Sequence, residues 1–130
     1  MSTHYIPLAE LSQQVAYIMG LDRMIHERSR LAILAILRHG SADYNLIANA
    51  THLSKGNLSN HLSKLEAAGL VRIDKRFENK KPLTTVSLTP SGRSSIERYF
   101  HHMSTITDTP IVAQKSQQPE PYHNSGGYSQ

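Results

Sequence analysis

Apolar residues return at helical spacing in five stretches of this chain and at alternating spacing in two, and their order outlines a fold. From Pro7 to Gly20, Leu8, Leu11, Val15, Ile18 and Met19 lie opposite Gln13 and Gln14, which predicts an amphipathic helix beginning near Pro7. Asp22 to Glu27 reads as a helical turn leading into Ser29 to His39. There Leu31, Ile33, Leu34, Ile36 and Leu37 give the densest hydrophobicity in the chain, ended by Gly40, so this is the expected buried central helix. Asp43 is placed to cap a short helix from Tyr44 to about Thr51 that turns Leu46, Ile47 and Ala50 inward. His52 and Leu53 then turn into Ser54, an N-cap for the helix SKGNLSNHLSKLEAAG, whose end at Gly69 suits a left-handed residue. Leu58, Leu62 and Leu65 form the apolar stripe of that helix.

The period then changes from helical to alternating. Val71 and Ile73 alternate with Arg72 and Asp74 in Leu70 to Arg76, and Val86 and Leu88 do the same in Leu83 to Leu88, so both are predicted as half-buried strands. The polar run Phe77 to Pro82, with Asn79 suited to a turn, is the expected loop of a hairpin. Thr89 and Pro90 suit an N-cap and first helical residue, and Ile96, Tyr99, Phe100 and Met103 recur at helical spacing behind them. Beyond about Thr107, Pro110, Pro119, Pro121, Gly126 and Gly127 punctuate a segment with little to form a core. The expected class is mainly α with a small β-hairpin, a winged helix-turn-helix with flanking N- and C-terminal helices. Its expected parts are an N-terminal segment with an amphipathic helix (residues 1–20), the main domain (21–104) and a disordered tail (105–130).

Composition narrows this picture. A length of 130 residues allows one domain with a modest core, and 38% hydrophobic with 18% charged residues fits a globular protein. No apolar run approaches the roughly 18 residues that span a bilayer. The N-terminal MSTHYIPLAE lacks the basic and then apolar layout of a signal peptide. The expected location is therefore the cytoplasm. The absence of Cys excludes disulfides, thiolate zinc sites and a thiol nucleophile.

Charge is distributed unevenly. Between Ser54 and Arg93 stand eight Lys or Arg against three acids, whereas the whole chain carries only +4. The basic excess is thus confined to the helix opened by Ser54 and the segment directly C-terminal to it. By itself such an excess is either a solvated face or a phosphate-binding surface. Two helices joined by a short turn, the second with a small polar outer face, describe a helix-turn-helix, and a basic ribbon beside it describes a wing lying along a phosphate backbone. On that reading Gly56, Asn57, Ser59, Asn60 and Ser63 are the candidate base contacts, with Asn60 suited to the bidentate contact to adenine. Gly56 and Asn57 also lie where first-turn N–H groups favour a phosphate, and Gly56 is either a close approach to DNA or a permissive first-turn residue. Lys55, Lys64, Arg72, Lys75, Arg76, Lys80 and Lys81 are the candidate phosphate contacts. For His26 and Arg28 to Arg30 a phosphate contact and a capping or solvated role both stand.

The first and last helices leave apolar stripes to be covered, either by the domain itself or by a second subunit. Leu8, Leu11, Val15 and Ile18 with Ile96, Tyr99, Phe100 and Met103 are the candidate dimer interface. No HExxH, Gly-rich phosphate loop or GxSxG occurs, so an enzyme is not expected, nor a cofactor. His101 and His102 are adjacent, but neighbours on a helix point about 100° apart and do not face one ion, so no metal site is expected.

Leu31 to Leu37, Asn57 to His61 within KGNLSNHLSKLEAAGLV, and LTPSGR from Leu88 to Arg93 resemble the winged-helix transcriptional regulators of the MarR and ArsR type, and in particular the stand-alone winged-helix DNA-binding domains related to them. The resemblance covers roughly Leu21 to Phe100. It implies a homodimeric, sequence-specific regulator that binds a pseudo-palindromic site in double-stranded DNA, with helix 54–68 in the major groove and wing 71–88 on the backbone. Metal sensing, common in the ArsR type through Cys or through His and carboxylate pairs, does not carry over by default to a chain without Cys. The alternative is a winged helix used for protein contacts in a larger transcription or assembly complex. A basic wing and a polar recognition face are not what a docking module requires; an exposed apolar patch is.

Overall fold

The computed structural model describes residues 7–108, so the tail from residue 109 onward and residues 1–6 lie outside it. The described residues form five helices and three strands: α1 (Leu8–Met19), α2 (Arg28–Leu37), β1 (Ala42–Asp43), α3 (Tyr44–Thr51), α4 (Lys55–Ala67), β2 (Val71–Glu78), β3 (Lys81–Leu88) and α5 (Pro90–Thr107). The fold is mainly helical with one small antiparallel sheet, ordered β1-β3-β2.

Local chemistry sets most boundaries. The side chains of Asp43, Ser54 and Thr89 each accept a backbone N–H from the first turn of the helix they open, from Leu46, Asn57 and Gly92 respectively. α2 opens one residue earlier than its apolar pattern predicts, because Glu27 is its cap and accepts from the Arg30 N–H at 2.8 Å. α4 ends in a Schellman motif: the Gly69 N–H donates to the Glu66 carbonyl and the Leu70 N–H to the Leu65 carbonyl, with Gly69 at φ +76°. α5 runs to Thr107, three residues past the expected end of the domain at 104.

The core lies between α2, α4, the base of the hairpin and α5. Ile25, Ile33, Leu34, Leu37, Ile47, Leu58, Leu65, Val86, Ile96 and Tyr99 are all buried in it. α5 is seated by close backbone approach. A Cβ at Gly92 would overlap the Leu70 carbonyl, while the Thr89 N–H donates to that same oxygen at 3.0 Å and the Thr89 hydroxyl to the Gly69 carbonyl at 2.6 Å. The end of α4, the start of β2 and the start of α5 therefore meet at one junction.

Two expectations for the sheet are corrected. The chain has a third strand, β1, in which Ala42 pairs with Val86 and Asp43 with Thr85. The predicted six-residue loop is a two-residue turn: Glu78 pairs with Lys81, and Asn79 and Lys80 both have positive φ, 53° and 64°, as a type I′ turn requires. Strand pairing thus reaches the tip of the wing. Pro82 is tolerated there because the pair beside a two-residue turn is the hydrogen-bonded one, so at Phe77–Pro82 the strand nitrogens point away from the partner.

The expected dimer surface is corrected in part. Ile96 and Tyr99 are buried inside the domain, against α2 and the segment before it, where the Tyr99 hydroxyl lies 2.8 Å from His26 Nδ1. They are core, not free surface. Phe100 and Met103 are half-buried against the same core, with Phe100 beneath the Arg38 guanidinium at 4.5 Å. Leu8, Leu11, Val15 and Ile18 remain exposed; α1 has no buried residue and meets α5 edge-on through Tyr17 and His102, ring centroids 5.3 Å apart.

Candidate nucleic-acid interface

α4 is held from one side only. Leu58, Leu62 and Leu65 are almost fully buried, and Lys55, Gly56, Asn57, Ser59, Asn60, Ser63 and Lys64 are all exposed. The five candidate base contacts therefore share one open surface. A Cβ placed on Gly56 would meet nothing within 4 Å, so no packing inside the domain demands a glycine there. α3 and α4 are joined by His52–Ser54, with His52 in the left-handed region at φ 59°, which turns the chain sharply between the two helices.

Sequence reasoning missed Tyr44, the first residue of α3. Its hydroxyl donates to the Lys55 carbonyl at 2.7 Å and lies 2.8 Å from Ser59 Oγ. A phenol has one proton, and the carbonyl takes it. Ser59 must then donate to Tyr44 and present only its lone pairs outward, so it is an acceptor for whatever lies over α4. No periodicity signals this contact, because Tyr44 and Ser59 belong to different helices.

His61 ties α4 to α2. Its Nδ1 lies 3.3 Å from Arg30 Nη1 and 3.8 Å from Glu27 Oε1, while Arg30 Nε donates to the Met24 carbonyl at 2.6 Å. For Arg30 and His26 the structural role is the observed one. Burial pushes the Glu27 carboxyl up, but the backbone N–H groups of Arg30 and Ser29 and the neighbouring His61 and Arg30 outweigh it, and its pKa lies below 4.5.

The wing divides its charges between two faces. Val71, Ile73, Lys75 and Phe77 alternate onto one face, opposite Leu88, Val86, Thr84 and Pro82. Arg72, Asp74, Arg76 and Glu78 take the other. The cations of β2 therefore do not form one row: Lys75 stands alone among them on the side toward α4, where a cleft of about 240 Å³ opens between Tyr44, Ser59, Ser63, Lys75 and Thr84. Among the described residues none of the seven candidate phosphate contacts makes an ion pair, although Arg30 and Arg38 do. The seven charges stay available to an outside partner.

Comparison with known proteins gives the same architecture. The family model described as winged helix DNA-binding domain matches residues 29–107. An uncharacterised protein of Methanocaldococcus jannaschii is 32% identical over 80 residues, 60% of this chain and 86% of that protein. Among solved structures, a transcriptional regulator homologue from Pyrococcus horikoshii OT3 is 27% identical with a TM-score of 0.67, covering 74% of this chain and 95% of that one. The M. tuberculosis transcriptional regulator MOSR in complex with DNA has the same fold at 17% identity and a TM-score of 0.56, covering 76% of this chain and 71% of that one.

Proposed function

This chain belongs to the winged helix DNA-binding domain family, and on that premise we propose that it regulates transcription as a homodimer, with α4 in the major groove and the β2–β3 wing on the phosphate backbone. The observation that carries this reading is the outer face of α4. Five short, uncharged residues stand exposed on a helix fixed by three buried leucines, and the seven cations on that helix and the adjoining ribbon pair with no acid among the described residues. Asn60 reads adenine through its amide, Ser59 accepts from a base amino group, and Ser63 completes the polar face. Each good contact of this kind discriminates by about 1 to 3 kcal/mol.

The homodimer reading rests on α1. Leu8, Leu11, Val15, Ile18 and Met19 form an apolar stripe that the described residues leave in solvent, and a second copy of the chain would bury it. A two-fold dimer places its two α4 helices about one DNA turn, roughly 34 Å, apart, and symmetry in the protein becomes a pseudo-palindromic site.

An electrophoretic shift on random duplex DNA at several salt concentrations tests the assignment. Each neutralised phosphate contributes about 0.9 to the slope of log affinity against log salt, so Lys80→Ala with Lys81→Ala flattens it by up to about two units per domain. Binding that is absent at low salt, or a slope identical in parent and variant, contradicts the assignment of the wing.

A further inference from the structure

Phe77 is an aromatic ring for which the fold has no use. It is 78% exposed, one position from the tip of β2, and faces Pro82 across the ribbon. These two form a non-hydrogen-bonded pair, the kind in which opposing side chains stand closest. They share the ribbon face of Lys75, Thr84 and Ile73, which closes the cleft below Ser59 and Ser63. At about 3.4 Å per residue, Phe77 lies roughly 14 Å beyond Ile73, the last residue of β2 that packs on the core. The apolar pair thus projects past the domain on the same side as the candidate reading face of α4.

Its surroundings identify what it meets. Lys75, Arg76, Lys80 and Lys81 border the pair, all exposed and none ion-paired among the described residues. One acid, the exposed Glu78 opposite Lys81, stands beside these four cations, also without an ion pair among the described residues, so the surround keeps an excess of positive charge. An apolar tip in such a surround is complementary to a polyanion with an apolar interior, and stacked bases between two phosphate backbones are such an object. We propose that Phe77, backed by Pro82, is a wedge that enters the minor groove beside the α4 contact, partly unstacks one base step and bends the duplex. The proposal deepens the DNA-binding reading above and rests on it.

The mechanics are specific. With α4 in the major groove, a ribbon beside it crosses the neighbouring backbone and reaches a minor groove about 6 Å wide, which admits a ring edge but not a helix. Apolar side chains inserted between base steps kink DNA by about 20 to 90°, and pyrimidine–purine steps deform most easily. The wing would then favour a TA or CA/TG step flanking each half-site without any hydrogen bond to those bases.

The test uses the full chain and a short duplex enriched from a randomised pool by the parent protein, labelled at its ends for energy transfer. At saturating protein the parent shortens the end-to-end distance, Phe77→Ala loses most of that shortening, and Phe77→Leu restores part of it. Phe77→Ala also loses the preference for a flexible flanking step when the enrichment is repeated. Because the ring is exposed, the variants keep the parent's melting temperature. A parent complex as long as the free duplex, or a Phe77→Ala complex as bent as the parent's, overturns the wedge and leaves DNA binding standing. Failure of the parent to retain any duplex overturns both.

Discussion

Helices α1 and α4 are nearly equal in length, 12 and 13 residues, and both space their apolar residues for one face, yet the fold treats them oppositely. Among the described residues, the leucines of α4 are buried and its polar face is exposed, whereas the apolar stripe of α1 is exposed and no residue of that helix is buried. Amphipathic spacing says that a helix has a face to cover, not what covers it. α4 is completed by its own domain, so its exposed side is available for recognition. α1 is incomplete, so its exposed side calls for a partner of like character. On the proposed reading, that difference gives one helix to DNA and the other to a second copy of the chain.

The contrast is sharpest in stability. Leu65→Ala removes a fully buried side chain and is expected to cost about 2 to 5 kcal/mol in denaturant unfolding. Leu11→Ala, on a residue 43% exposed, is expected to stay within about 0.5 kcal/mol at concentrations where the chain is monomeric. Equal losses would mean that α1 is part of the core. Next in size is the effect on association. Leu11→Glu with Ile18→Glu should leave the domain folded and halve the mass seen by sedimentation. Site affinity should fall by about 10²-fold or more as bivalent attachment is lost. An unchanged mass would remove α1 from the interface.

The smallest effect concerns how α4 is anchored at its middle. Glu27, near His61 and Arg30, has its pKa held down in the folded chain. A carboxyl of this kind stabilises the fold fully above its ordinary value of 4.5, and that stability is lost as pH falls through the depressed folded value. Glu27→Gln should therefore lower the melting temperature near neutrality and flatten its decline below pH 4.5. Among the described residues α1 takes part in no ion pair, so the effect belongs to the α4 side of the contrast.

Much of this architecture is legible from local chemistry. Asp43, Ser54, Gly69 and Thr89 mark element ends because a cap or a left-handed residue acts within one turn of itself. The outer half of the wing is not legible, since both its faces meet solvent and no hydrophobic period survives past Ile73. β1 is too short to have a period and exists only because β3 lies beside it. Ile96 and Tyr99 read as a stripe like that of α1, and only the position of α2 and Ile25 decides that they are core. The bond between Tyr44 and Ser59, which fixes the hydrogen-bonding sense of a candidate base contact, joins residues 15 apart on different helices and leaves no trace in spacing.

Whether the outer face of α4 reads bases as part of a two-fold dimer is decided by enriching bound duplexes from a randomised pool with the parent and with Asn60→Ala. Inverted half-sites with centres about one DNA turn apart are expected for the parent. The variant is expected to keep that spacing and to lose the preference at one adenine position in each half-site. No enriched sequence from the parent, or the same sequence from both proteins, would contradict a base-reading role for this helix.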